Sequence, residues 1–269
     1  MVRLQGMIAA SGTPLAPSLS LASCAKNLQR AFETEDAPAV VLSVNSPGGS
    51  PVQSHFIYRR IRDLAEEHNK QVLVFCEDLA ASGGYMIACA GDEIYADPSS
   101  IIGSIGVISA GFGFVDAIEK IGVERRVYTA GKNKSTLDPF QPAKKEDIDR
   151  IKEMQLEIHD VFIDLVKESR GDKLADNDDL FTGQFWAGEK AQALGLIDEI
   201  GDARSVIKQK FGAKAELQLI TQPRGFLGRR QGAGGVGLSR IDAQTVSASA
   251  AHGLLTAVEE RALWNRYGL

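Results

Sequence analysis

Val72-Leu73-Val74-Phe75 leads into Ala80-Ala81-Ser82-Gly83-Gly84-Tyr85-Met86, and Ile87-Ala88-Cys89-Ala90 follows. The first run reads as a buried strand and the last as a buried helix. Ser82 therefore sits where a strand hands over to a helix, with two glycines behind it. Such a turn exposes a hydroxyl beside backbone N–H groups that have no partner within the helix. That arrangement suits acyl transfer. A serine N-cap with glycines for close packing explains the same residues, and the stretch alone leaves both readings open.

Working outward, strand-like and helix-like segments alternate on both sides. Residues 2–10 read as a first strand, and Gly12, Pro14 and Pro17 as a loop. Leu21, Cys24, Ala25, Leu28 and Phe32 recur at helical spacing. Ala39 to Val44 is a second strand, apolar enough to be buried on both faces. Asn45-Ser46-Pro47-Gly48-Gly49-Ser50-Pro51 turns into a helix, with Ser50 as N-cap, Pro51 as first residue and an end near His68. Its inward face is expected to carry Phe56, Ile57, Ile61, Leu64 and Ala65. Further strands are expected at 93–96, at 126–129 and at 217–220, and the glycine-punctuated 101–109 reads as a strand or a loop. Helices are expected at 114–121, 145–169, 188–194 and 205–211, the longest with Ile148, Ile151, Met154, Ile158, Phe162 and Leu165 inward. This alternation predicts an α/β fold with crossover connections. After Pro223 a Gly- and Arg-rich stretch reads as a linker. Residues 242–264 read as a separate helix whose apolar side includes Val246, Leu254, Leu255, Val258, Leu263 and Trp264. A lone helix cannot bury that side, so it should dock on the body or on a partner.

The 269 residues carry a net charge of −5 with 44% hydrophobic and 24% charged content, ordinary for a globular chain and offering nothing for nucleic acid. Cys24, Cys76 and Cys89 form no CxxC and read as reduced thiols, not as a disulfide framework. No apolar run reaches the roughly 18 residues of a membrane span, and the N-terminal run is too short for a signal peptide. As given, the chain reads as soluble. Metal binding has no HExxH and no His pair at i, i+4, and neither metal nor cofactor is expected. Gly232 to Gly237 matches GxGxxG but follows arginines, not a strand, and reads as linker.

A serine nucleophile needs a base. His55, His68, His159 and His252 all fall in helical patterns and read as solvated or partly buried helix residues. Lys132 and Lys134 follow the strand expected at 126–129, in a turn that could face a strand end. A free lysine is neutral about once in 2,500 at pH 7, so a basic lysine must be desolvated. From composition alone, two exposed turn lysines are the favoured reading.

Asn-Ser-Pro-Gly-Gly at 45–49, Ala-Ser-Gly-Gly-Tyr at 81–85, Gly-Ser-Ile-Gly-Val at 103–107 and Thr-Ala-Gly-x-x-Lys at 129–134 occur in that order. Together they resemble the signal peptide peptidase A family of serine–lysine peptidases, most of all its SohB-type members. Trp186 to Glu199 resembles a further segment of that family, and the resemblance covers about residues 2–220. It implies Ser82 as nucleophile, Lys134 as general base and Ser104 as the residue that holds the lysine amine. The oxyanion hole would come from the N–H groups of Gly83 and, by preference, Gly49. Lys132 matches no catalytic position. The resemblance also implies a Clp/crotonase-like spiral of ββα units, and ring- or dome-like homo-oligomers with active sites near subunit interfaces. The division expected is a peptidase domain over 1–221, a Gly/Arg-rich linker over 222–240 and a C-terminal helix over 241–269. Substrates would be peptides or unfolded protein, such as signal-peptide remnants or fragments of misfolded and membrane proteins. Many members carry an N-terminal anchor, and none is visible here. A bacterial-type cytoplasmic location is expected, peripheral to the inner membrane at most; membrane association stays open.

Three rivals remain. A Ser–His hydrolase would need His159 or His252. A crotonase-type acyl-CoA enzyme would use the same glycines without the serine. A peptide-binding scaffold of the same fold would use neither.

Overall fold

The computed structural model describes residues 1–12, 17–221, 258 and 261–269. The linker expected at 222–240 lies outside them, as does most of the helix expected at 241–269.

Parallel strands β1 (Val2–Gln5), β2 (Ala39–Ser46), β3 (Gln71–Ala81) and β4 (Glu93–Ala96) lie side by side in chain order. Helices α1 (Leu21–Phe32) and α2 (Pro51–His68) make the first two crossovers. The starts of both helices are encoded locally. Ser20 accepts from the Ser23 amide in a capping box, while Ser50 accepts from the Gln53 amide ahead of Pro51. Along β3 the side chains alternate. Val72, Val74 and Cys76 join the large core with Leu28, Ile57 and Ile61, whereas Leu73 and Phe75 pack with Tyr95, Val206 and Ile207 on the other face. Burial on both faces explains the unbroken apolar run.

The feature that creates the site is a fork in β3. Residues 73–76 pair with β4, but 79–81 pair with β5 (Ile101–Gly103). The register with β2 slips between Val44 and Ser46 at the same level. Asn45 holds the fork: its amide nitrogen donates to Asp78 at 2.7 Å, and its amide oxygen accepts from the Leu79 N–H at 3.2 Å. The far end of β3 thus carries a branch of the same seven-stranded sheet, completed by the antiparallel pairing of β5 with β6 (Phe185–Ala187). The remaining elements are α3 (Gly83–Ala88), α4 (Val115–Lys120), α5 (Lys145–Arg170), α6 (Gly188–Ala193), β7 (Glu199–Ile200) and α7 (Ala203–Phe211). This α/β architecture is consistent with the Clp/crotonase-like spiral. Among the described residues no helix is long and apolar enough to cross a membrane.

Several expectations fail, each for a physical reason. β1 stops at Gln5 because Gly6 turns at φ 96°. Residues 126–129 form no strand: they pair with no strand among the described residues, and Tyr128 is 91% exposed. Residues 217–220 form no strand either, but bond to the first residue through Met1 N to Gln218 O and Ile220 N to Met1 O. β6 was not foreseen, because three residues are too short for a period to show. Phe56, Ile148 and Met154, expected inside, are exposed; only the C-terminal half of α5 reaches the core, through Phe162, Leu165 and Val166.

Candidate active site

Ser82 lies at the elbow between β3 and α3 with φ 52° and ψ −123°, a conformation rare for any residue with a side chain. The elbow is held from both sides. Ser82 N–H donates to Gly103 O at 2.8 Å, and Met86 N–H donates to Ser82 O at 3.0 Å. Ser82 stands at the N-cap position of α3, but its hydroxyl makes no capping bond, so the side chain is left free. Behind it α3 is wholly buried, with Tyr85 Oη donating to Leu196 O at 2.7 Å.

The Asn45–Gly49 turn meets this elbow edge-on. Gly48 (φ 94°) lies so close that a Cβ there would stand 2.8 Å from both Gly83 N and Ser82 Cβ. Gly49 (φ 139°) is pressed on Ile8, whose N–H donates to Gly48 O at 2.8 Å and whose carbonyl accepts from Ser50 N–H at 2.7 Å. Ser46 Oγ donates to Gly6 O at 2.7 Å and accepts weakly from Gly48 N–H at 3.2 Å. Among the described residues neither the Gly49 nor the Gly83 amide has an acceptor. Both residues, with Ser82, line a cavity of about 280 Å³ whose walls include Met86, Val107, Ile158 and Phe162.

Ser104 follows β5 directly. It is 5% exposed, has φ 53°, and donates its N–H to Gln184 O at 2.6 Å. Gly103 before it lies flat under Trp186, where a Cβ would meet the indole at 3.0 Å.

Lys134 is not brought to these residues. It is exposed, its N–H donates to Gly131 O at 3.2 Å, and it does not line the cavity. It belongs to the stretch 106–141, which is tied mostly to itself: Phe114 N–H donates to Pro139 O at 2.6 Å, and Arg125 pairs with Asp138. That stretch exposes Ile108, Phe112, Ile121, Val123 and Tyr128, an apolar load that free loops rarely carry. Lys132 is exposed, as expected. No histidine lines the cavity: His159 Nε2 contacts Ile105 O at 3.1 Å, His55 stacks on Tyr58, His68 lies beside Phe32, and His252 falls outside the described residues. Among the described residues no cluster of His, Cys, Asp and Glu could hold a metal.

Two groups at the site escaped the sequence reading. Asn45 and Ser46 proved to be the clamps of the fork and the turn. The segment 261–269 covers the region beside Ser82, with Leu263 and Arg266 on the cavity wall. Its sequence signal was the apolar side expected on the C-terminal helix, with Leu263 and Trp264, which had to dock on the body or a partner; Tyr267 gave none.

The model of peptidase family S49 matches residues 65–217. Protease 4 of Haemophilus influenzae is 35% identical over 199 residues, covering 74% of this chain and 31% of its own. A relative from the same organism carrying the name SohB is 32% identical over 180 residues, 67% of this chain and 50% of its own. A Brucella abortus protein named Na(+)/H(+) antiporter NhaA is 60% identical over 269 residues, all of this chain but 36% of its own. The chain thus spans about a third to a half of the length of these relatives.

Proposed function

The chain belongs to peptidase family S49, and on that premise we propose that it is a serine endopeptidase in which Ser82 forms the acyl-enzyme and Lys134 is the general base. The observation that carries this reading is the Ser82 elbow: a strained, uncapped serine opening on a cavity that the unpaired Gly83 and Gly49 amides also line. In the reaction, neutral lysine removes the Ser82 proton as Oγ attacks the peptide carbonyl. The two amides hold the oxyanion, a contribution of about 10²–10³ in rate per donor. The lysine then protonates the leaving amine, and water hydrolyses the ester.

Lys134 is exposed and does not line the cavity at its own Ser82, and on this reading the base comes from a second copy of the chain. The apolar residues exposed on 106–141, together with Met154, Leu156 and Val161 on α5, supply a surface for that association. Substrates are peptides or unfolded segments, including signal-peptide remnants and fragments of membrane proteins. The antiporter name of the Brucella relative adds no transport to this reading, because the matched portion contains the stretch that fits the peptidase family.

The test is hydrolysis of casein or a fluorogenic peptide by wild type, Ser82→Ala and Lys134→Ala between pH 6 and 10. Loss in both variants, with a wild-type rate that rises through a pKa well below 10.4, supports the dyad. Full activity in Lys134→Ala with loss in His159→Ala would replace the dyad by a Ser–His pair. No hydrolysis by any oligomer of wild type would leave the binding scaffold.

A further inference from the structure

Ser104 Oγ has one polar partner among the described residues, and it comes from the far end of the sequence. The Tyr267 hydroxyl lies 3.2 Å away in a buried contact. Tyr267 is itself 7% exposed, with its ring edge-on to Phe185 at 5.0 Å. Trp264, one helical turn earlier, packs with Tyr267 against Leu79 and Ala81 of β3, the residues that lead into Ser82. The phenol therefore has a fixed position and a fixed neighbour.

Hydrogen-bond arithmetic gives that neighbour a role. A neutral lysine amine has two N–H groups and one lone pair. To act as base, the lone pair must face the Ser82 hydroxyl, so an N–H must point at Ser104 Oγ. The Ser104 hydroxyl hydrogen then has to go elsewhere, because a serine that donated to the amine would occupy the lone pair the reaction needs. In this structure the Tyr267 O–H donates to Ser104 Oγ; a hydroxyl hydrogen rotates to suit its partners, so with the lysine amine in place the Tyr267 oxygen can accept instead.

We propose that Tyr267 is a positioning residue: it takes the Ser104 hydroxyl hydrogen and so turns a Ser104 lone pair toward the Lys134 amine. This rests on the serine–lysine reading above and assigns residues 261–269 to the active site. The proton path is Ser82 to Lys134 only; Tyr267 and Ser104 keep their protons throughout.

The test uses the full chain with Tyr267→Phe, which keeps the ring against Phe185 and removes the oxygen. Peptide hydrolysis is followed from pH 6 to 10, with thermal melting as a check on folding. The expected result is an unchanged melting temperature, a kcat about tenfold lower and an unchanged KM. The rising limb of the pH profile should move to lower pH, since a Ser104 hydroxyl released from Tyr267 can donate to the amine lone pair and so favour the neutral form. In Ser104→Ala, adding Tyr267→Phe should cost nothing further, because the two act as one unit.

A limb that moves up toward 10.4 would mean that the segment only keeps water out, and would overturn the proposal. Activity equal to wild type would overturn it too. Higher activity would show that Tyr267 occupies the seat of the lysine instead of preparing it. In each of these cases wild type still cleaves peptide, and the dyad stands. If wild type cleaves nothing, the serine–lysine reading fails and this assignment falls with it.

Discussion

Replacing Gly49 by alanine should separate catalysis from folding. The residue sits at φ 139°, and a Cβ built there falls well inside 3.0 Å of the Ile8 carbonyl oxygen, a separation real Cβ atoms essentially never show. The obstacle is backbone, and it cannot swing away. Ile8 is tied to both neighbours of Gly49, by its N–H to Gly48 O at 2.8 Å and by its carbonyl to Ser50 N–H at 2.7 Å. The turn must therefore move by about an ångström and lose alignment in one of those bonds. An oxyanion donor acts only within a few tenths of an ångström of its place, and a misplacement of about 1 Å costs on the order of 10²-fold. The expected loss in kcat is about 10²–10³, or roughly 2.7–4 kcal/mol of transition-state stabilisation. Stability should fall by about 1–3 kcal/mol, the range for one strained backbone position. The assay is steady-state peptide hydrolysis at a temperature where melting curves show the variant fully folded. A folded variant with kcat within about threefold of wild type would refute the placement of the Gly49 amide at the oxyanion.

Three other outcomes follow from specific contacts. Asp198→Asn strands the Arg170 guanidinium, whose side chain is 1% exposed and pairs with Asp198 at 2.9 Å. A broken buried pair costs about 3–5 kcal/mol; since Asp198 is the less buried partner, a loss near the lower end and a melting temperature roughly 6–12 °C lower are expected. Burial pushes the Asp198 carboxyl up, but hydrogen bonds from Arg170, Lys173 and the Ile94 amide outweigh it and hold it below its ordinary 3.8. A depressed carboxyl stabilises the fold above its unfolded pKa, so this contribution should be full above about pH 4 and fade as pH falls below that. Melts from pH 5 to 2 should show it in wild type and not in Asp198→Asn. Burial also pushes the Cys24 and Cys89 thiols up to about 12, and Cys76 higher still. Native protein at pH 8 should resist iodoacetamide at all three, as a mass spectrum will show. Finally, an equal mixture of Ser82→Ala and Lys134→Ala, unfolded and refolded together, should recover roughly a quarter of wild-type activity if each site draws on two copies; a mixture as inactive as its parts would place both groups in one chain.

The fold was legible wherever local chemistry and burial agreed. Ser50 and Pro51 announce α2, and the unbroken apolar runs of β2 and β3 announce strands covered on both faces. The turn at Ser82 could be located, but not its purpose, because an N-cap and a nucleophile share the same residues; the missing capping bond and the positive φ separate the two. Periodicity misled where the apolar face has no partner within one chain. Ile148 and Met154 keep helical spacing yet face outward, and residues 126–129 keep strand composition yet pair with no strand among the described residues. The fork at Asn45 was invisible because it depends on a slip between two strands. Tyr267 was missed for a similar reason: only the fold brings residue 267 to residue 104.

The most direct measurement is the intact mass of the protein after exposure to a fluorophosphonate at pH 8, with the adduct mapped by peptide mass. A serine made nucleophilic by a neutral lysine should take one adduct, at Ser82. Labelling should be absent in Ser82→Ala and slower by about 10³-fold in Lys134→Ala. An adduct on another residue, or labelling of Lys134→Ala at the wild-type rate, would contradict the account.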